Sequence, residues 1–558
     1  MLFALLRAAT GFCCCLITAA GAQIPAASSG AIGGIVVDAN SNAPVRRAII
    51  TLSTLEALPQ DAVAWTDANG RFSFGYLPAG RYQLRASKDG YQGAAYGTET
   101  PRHLPAIIQL AAGESRSDFT FRLHLMSSIS GVVLGDDGDP LAGVQVTAMT
   151  AGFQRGKRRL FPGPGVLTDS NGRYRLSGLT PGRYVVVATP MYRPALRVNP
   201  EVAAGQAQQQ YSYGIQYYLE ADRAESAAPL ALQSGQEISR IDFRLAARPT
   251  TSLQGKIVLP AGVTAVEDAS ISVMSENPAN RIRMSASPYL PDFTFRFDQF
   301  MAGSYLLVAE ASVDGRRYRG AQFIEVPPQG LRDAAIPVEP SIDLAGSVAA
   351  EGPGAEKYSA SFVGLVPGDD LPWNRQPLRT SVNKDGSFKI AGVPPGVWDI
   401  NAGPIPPGGY LKSMRLGDQD VLTEDMVIRS STTARLKIVI GTQAAALQGD
   451  VVKWDQPARA VILLAPDGKF RHVLSFYRVV TADEKGHFEL KNATPGSYKL
   501  YAFEEFDQRS IQNPEFLKPF ESAGVPVTLR EGQNAAQKLA IIAVDPGSQS
   551  VPVPGAHQ

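Results

Sequence analysis

Five histidines make up the chain's whole imidazole supply: His103, His124, His472, His487 and His557. A zinc site needs several such ligands at helix or loop spacing, and none of the five has a partner placed that way. His487 and Glu489 would share one face of a strand, but two ligands do not make a site, and both read as strand surface. A thiol nucleophile could come only from Cys13, Cys14 or Cys15, which sit together near the start. No serine stands in a G-x-S-x-G context, and nothing among the 52 acidic residues singles out the two flanking carboxylates of a glycosidase. Asp38-Ala39-Asn40-Ser41-Asn42 and Asp136-Asp137-Gly138-Asp139 put hard oxygen ligands on loops, yet neither runs on to the bidentate Glu of a calcium loop. Both read as Asx turns. The residues therefore predict no enzyme, no cofactor and no metal.

Two groups of residues suit binding instead. Arg155, Lys157, Arg158 and Arg159 form a basic cluster that reads as a solvated loop, with attraction for anionic polymer or lipid head groups as the alternative. Tyr211, Tyr213, Tyr217 and Tyr218 lie beside Gln206, Gln208, Gln209 and Gln210. Rings with polar tips suit a glycan or peptide surface. These four tyrosines are the predicted binding residues, and packing against their own domain is the competing reading. The neutral glutamines favour an uncharged polymer.

The elements that must position these residues begin after an address segment. Arg7, the apolar stretch Gly11-Phe12-Cys13-Cys14-Cys15-Leu16-Ile17 and then Ala20-Gly21-Ala22 before Gln23 have the form of a signal peptide with its A-x-A site. All three cysteines fall inside it, so the mature chain is expected to hold no disulfide and no thiolate metal site. Cleavage also removes Arg7 and no acid, leaving 52 basic against 52 acidic residues. That balance argues against nucleic acid as a partner. No later run of 18 apolar residues is present to span a bilayer. The expected product is an exported chain, periplasmic, outer-surface or extracellular.

Self-similarity then sets the architecture. A Gly-x-aromatic marker recurs as Gly80-Arg81-Tyr82, Gly182-Arg183-Tyr184, Gly303-Ser304-Tyr305, Gly396-Val397-Trp398 and Gly496-Ser497-Tyr498, at spacings of 102, 121, 93 and 100 residues. Another glycine opens an apolar strand 46 to 51 residues before each marker: Gly34, Gly131, Gly255, Gly346 and Gly449. The markers continue with period two, as in Tyr82/Leu84/Ala86 and Tyr184/Val186/Ala188, which predicts half-buried strands. Asp67-Ala68-Asn69-Gly70, Asp169-Ser170-Asn171-Gly172, Asn383-Lys384-Asp385-Gly386 and Asp483-Glu484-Lys485-Gly486 each fall thirteen residues before a marker glycine and carry hairpin-turn chemistry. Unit three departs there, reading Leu290 to Phe293.

The fold class is thus all-β: a linear array of about five β-sandwich domains after a signal peptide. The expected division is a signal peptide at 1–22, a linker at 23–30, units at 31–124, 127–247, 251–341, 342–442 and 444–545, and a tail at 546–558. Unit two carries an insertion at 190–229, and unit three is degenerate.

Gly34-Ile35-Val36-Val37, Thr66 through Phe74, Leu77 through Ala86, and Lys88-Asp89-Gly90-Tyr91 together resemble the carboxypeptidase regulatory-like domain. The resemblance is strongest in units one and two and weakest in unit three. It implies that these are prealbumin-like (transthyretin-like) or immunoglobulin-like β-sandwich domains, grouped with carbohydrate-binding-like and pilin B-type folds, in an extracytoplasmic setting. It brings no catalytic motif, since catalysis in the carboxypeptidases belongs to a separate zinc domain. The related pilin domains imply one further chemistry, a Lys–Asn isopeptide bond from a first-strand lysine. Lys256 of unit three is the one such lysine in the first strands as read from sequence, so self-crosslinking is not expected. The resemblance implies a binding, adhesion or structural module at the cell envelope, with a polysaccharide or an envelope protein as partner. The alternatives are a carbohydrate-binding accessory protein and a regulatory partner of a separately encoded peptidase or outer-membrane transporter.

Overall fold

Alternating side chains in each unit fold into two facing sheets, and the same pairing is repeated five times in the computed structural model. The structure describes residues 29–542 except 56–60, 98–105, 155–156, 191–210, 264–265, 278, 280–282, 358–359, 369–376, 472, 505, 507–509, 512 and 514. The signal-peptide segment with its cysteines, His103, His472, His557, Gln206 to Gln210 and the tail lie outside the described residues. Among the described residues the regular structure is strand with a few short 3-10 turns.

In unit one the first sheet centres on Gly30–Asp38, antiparallel to Arg71–Leu77 and parallel to Ser115–Leu123. The second sheet centres on Ile49–Thr54, which lies between Asp61–Trp65 and the marker strand Gly80–Ser87. Unit five repeats this with Ala445–Lys453 between His487–Ala493 and Asn534–Ala540, facing Val461–Pro466 between Arg478–Thr481 and Gly496–Phe503. The first and last strands are parallel neighbours in the other three units as well. Phe72 and Phe74 point inward while Arg71 and Ser73 point out, as period two requires. Each unit closes on its own apolar cluster, built in unit one around Ile32, Ile50, Leu84, Phe119 and Leu123.

Two devices hold the sheets in register. At the marker, the buried aromatic donates its polar tip to a carbonyl four residues upstream: Tyr82 Oη to Pro78 O (2.8 Å), Tyr184 Oη to Thr180 O (2.8 Å), Tyr305 Oη to Met301 O (2.9 Å), Trp398 Nε1 to Pro394 O (3.1 Å) and Tyr498 Oη to Thr494 O (2.6 Å). The ring fills the core and its donor stays satisfied. At the hairpin turn, Asp67 Oδ1 accepts from the amides of Asn69 and Arg71, both at 2.8 Å, and Asp169 does the same for Asn171 and Arg173. The turn glycine then lends its carbonyl to the first strand, where Val36 N donates to Gly70 O and Val133 N to Gly172 O at 2.8 Å. Unit three has no glycine there. Phe293 takes the left-handed conformation instead, with φ +55°, and its carbonyl accepts from Ile257 N at 2.9 Å.

Three features depart from the sequence reading. Alternation fails in the marker strand of unit two, where Tyr184, Val185, Val186, Val187 and Ala188 are all buried. The outer face of that sheet carries a second apolar layer of Met149, Val185, Val187, Tyr217 and Ala227. Unit five has the same arrangement, with Phe506, Phe516 and Leu517 covering Leu463, Tyr501 and Phe503. The first strand of unit five extends to Lys453, so Lys256 is not the sole first-strand lysine; Lys256 is exposed and Lys453 pairs with Glu504. Finally, the tandem row bends back on itself. Glu484, in the hairpin turn of unit five, accepts from Tyr96 Oη (2.9 Å) and pairs with Arg116 (2.7 Å) of unit one. Burial and that bond to Glu484 push the Tyr96 hydroxyl up to about 12.

The corner predicts a graded response. Tyr184→Phe keeps the ring but leaves the Thr180 carbonyl without its donor, and is expected to cost unit two about 1 to 2 kcal/mol. A Cβ on Gly182, whose φ is +153°, would come no closer than 3.9 Å to the Tyr184 ring. Gly182→Val therefore suffers from backbone conformation rather than collision, and is expected to cost about 1 to 3 kcal/mol. Urea unfolding of the two variants beside Arg173→Ala, an exposed change on the same unit, reads both values.

Candidate functional site

The strongest sequence candidate is the unit-two insertion, and the chain's own strand pairing determines where its tyrosines go. Gln216–Tyr217 adds to the marker strand, with Val187 opposite Tyr217 and Ala188 opposite Gln216. This places the Tyr217 ring on the outer face of the sheet, where it is 0 % exposed among Met149, Val185 and Val187. Its hydroxyl donates to Asn277 Oδ1 at 2.6 Å, an atom that also accepts from Ala279 N at 3.0 Å. Tyr217 is thus a strut between units two and three. The next residue of a strand faces the opposite way, and Tyr218 packs against the inner core with its ring edge-on to Phe243 at 6.3 Å.

Tyr213 also lies against the inner core. Burial, followed by the charges of Asp137, Asp136 and Asp139, raises its hydroxyl above the usual tyrosine value. Tyr211 is 47 % exposed, on the strand Tyr211–Tyr213 that pairs with Ala247–Pro249 between units two and three. The four tyrosines therefore share no common face. Tyr217 cannot meet a ligand with its ring, Tyr213 and Tyr218 are largely committed to packing, and Tyr211 alone presents its ring to solvent. Val185 and Val187, apolar where an exposed face should be polar, are the sequence signal that something covers this sheet.

The other candidates resolve locally. Arg158 is half-buried and Arg159 exposed on the strand Lys157–Leu167, and both make interactions of their own. Asp38 Oδ1 accepts from Asn40 N (3.0 Å), Ser41 N (2.8 Å) and Ser41 Oγ (2.8 Å). Burial pushes its carboxyl up, but the Ser41 and Asn40 hydrogen bonds outweigh that and hold it below the ordinary range. Asp137 Oδ1 caps Asp139 N at 3.0 Å. In both loops these oxygens are engaged by their own backbone. His487 Nδ1 lies 3.3 Å from Asp450 Oδ1, while Glu489 pairs with Lys491 at 2.9 Å, so the two residues turn to different partners.

One feature has no counterpart in the sequence pattern. Units three and four enclose a cleft of about 320 Å³ lined by Asp268, Glu310, Arg317, Tyr318, Ser341 and Trp398. Arg319 Nη1 stands 3.5 Å from Glu310 within it. No motif announces this cleft, because its lining comes from separate strands and turns of two units, far apart in sequence. Acidic and basic groups both face it, so it has no single charge preference.

Residues 31–124 and 128–211 match the carboxypeptidase regulatory-like domain, so units one and two are similar to that domain. None of the curated proteins matches the chain. Among solved structures it is similar to GBS52, the minor pilin of Streptococcus agalactiae, at 15% identity and a TM-score of 0.23 over 40% of this chain and 97% of that one. It is also similar to a streptococcal ancillary pilin, at 14% identity and 0.21 over 55% and 98%. A third is BcpA, the major pilin subunit of Bacillus cereus, at 9% and 0.15 over 56% and 99%. Scores this low carry no argument about this chain.

Tyr217→Ala is expected to cost unit two about 3 to 5 kcal/mol, the cost of a large cavity plus the lost hydrogen bond to Asn277. Tyr211→Ala is expected to stay within about 0.5 kcal/mol of wild type. Thermal and urea melts of the two variants distinguish a strut from a free ring.

Proposed function

We propose that this chain is a non-enzymatic exported module of the cell envelope, a row of sandwiches that holds its loops at fixed spacing for binding or adhesion. The supporting observation is that the joints between units are hydrogen-bonded rather than free. Met126 N donates to Gly90 O (2.8 Å), Gly235 N to Leu125 O (2.9 Å) and Ala444 N to Gly408 O (2.8 Å). The joint after unit two is a strand pair, Tyr211–Tyr213 with Ala247–Pro249. Joints tied in this way make a stiff spacer, and surface loops on a rigid scaffold carry specificity. The match of residues 31–124 and 128–211 to the carboxypeptidase regulatory-like domain supports the non-enzymatic reading.

Within this reading Tyr211 is the insertion's contact for a neutral polysaccharide, the partner class that an exposed ring preceded in sequence by neutral glutamines suits best. An envelope protein is the other partner class, and the charge balance argues against nucleic acid. Purified mature protein on a glycan array tests the binding claim. The expected result is retention that changes little with salt and falls at least about tenfold in Tyr211→Ala, whose melt should be that of wild type. N-terminal sequencing of the protein from fractionated cells tests export. A chain beginning at Gln23 outside the cytoplasm is expected, and an uncleaved cytoplasmic chain would contradict the proposal.

A further inference from the structure

Every unit places a bulge just before its marker turn, and the second bulge residue has positive φ in all five: Tyr76 (+59°), Gly178 (+73°), Gln299 (+60°), Gly392 (+64°) and Asn492 (+57°). Glycine and asparagine adopt this conformation readily, and a bulky ring does so only at a cost in stability. In three later units this position meets the preceding unit or the joint leading from it. Gly178 lies against Met126 of the joint with unit one, Gly392 against the Arg317 guanidinium of unit three, and Asn492 Oδ1 accepts from Gly408 N of unit four at 2.8 Å. Unit one has no unit before it among the described residues. There the position is tyrosine, and Tyr76 is 91 % exposed.

The opposite end of the row shows the same combination. The turn after the first strand faces the next unit or the joint leading to it: Asn40 Nδ2 of unit one donates to Ser234 O of unit two at 3.2 Å, and Asp136 Oδ2 of unit two accepts from Ala247 N of the joint with unit three at 3.2 Å. In unit five this turn is a two-residue hairpin, with Val452 opposite Pro457 and Lys453 opposite Gln456. Its tip residues Trp454 and Asp455 have φ +49° and +60°, positions that ordinarily take Asn-Gly. Trp454 is 86 % exposed. The bend that brings Glu484 to unit one leaves both rings largely in solvent, with Lys453 Nζ 4.7 Å from the centroid of the Trp454 ring.

We propose that the row continues between molecules: the Trp454 hairpin of one copy docks on the Tyr76 corner of the next, using the two end surfaces that the inner units use on each other. A strained backbone holding a large exposed ring at each terminal position is unfavourable in the isolated chain and is accounted for by a contact that covers both rings. The two surfaces differ, so the contact is heterologous and repeats into open chains or closes into rings.

Sedimentation velocity of the purified mature protein over a wide concentration range tests this, with Tyr76→Asn, Trp454→Asn and their mixture. The wild type is expected to gain mass with concentration, and each single variant to associate at least about tenfold more weakly. Asparagine suits the left-handed backbone, so neither variant should melt below wild type; this separates lost docking from lost folding. The mixture is the decisive arm. Each variant keeps one competent end, so mixing should restore dimers that cannot extend. A wild type that stays monomeric at every concentration, single variants that assemble like wild type, or a mixture that stays monomeric would each overturn the proposal.

Discussion

A carbonyl oxygen stands where a side chain would begin at one position in every unit, and the sandwiches are built around that contact. A Cβ on Gly34 would fall on Phe119 O, on Gly131 on Ile241 O, on Gly255 on Ala334 O, on Gly346 on Leu436 O and on Gly449 on Gln537 O. The oxygen belongs to the last strand of the unit, or in unit two to the residues leading into it, and that strand runs parallel to the first. Glycine within a strand marks this kind of close backbone approach. Parallel pairing of first and last strands has a topological consequence. The chain enters a unit at one end of the sheet and leaves at the other, so the next unit follows end to end. One steric allowance per unit thus underlies both the closed sandwich and the row.

The remaining devices secure what this contact sets up. The hairpin turn docks its glycine carbonyl on the first strand, and the corner aromatic ties the marker strand to the turn above it. Unit three keeps both bonds while replacing the turn glycine with Phe293, so its divergence in sequence is larger than its divergence in structure. Units two and five add a covering layer over the outer face of the second sheet, supplied by Tyr217 and Ala227 in unit two and by Phe506, Phe516 and Leu517 in unit five. In unit two that layer also reaches unit three through Tyr217 and Asn277, so the insertion contributes to the rigidity of the row.

Much of this is legible in the sequence because it is local. The markers, the Asx turns and the period-two strands each depend on residues a few positions apart, and they recur from unit to unit. The first-strand glycines are visible too, but their reason is not, since the oxygen opposite Gly34 comes from Phe119, far along the chain. The tyrosine cluster misleads for a related reason. Its residues are close in sequence, but successive residues of a strand face opposite ways, and only Tyr211 is left in solvent. Glu484 reads as an ordinary charged turn residue, and nothing near it announces that Arg116 and Tyr96 lie opposite.

The close approach at the first-strand glycine should hold each unit together independently of the others. Native-state hydrogen exchange on Gly131→Ala tests this most directly, because a single methyl group is added at the point of contact with Ile241. Amides of Ser127–Gly135 and Phe243–Leu245 are expected to lose protection by at least about a hundredfold, while Ala445–Lys453 of unit five keeps wild-type protection. Unchanged protection across unit two, or an equal loss in every unit, would contradict it.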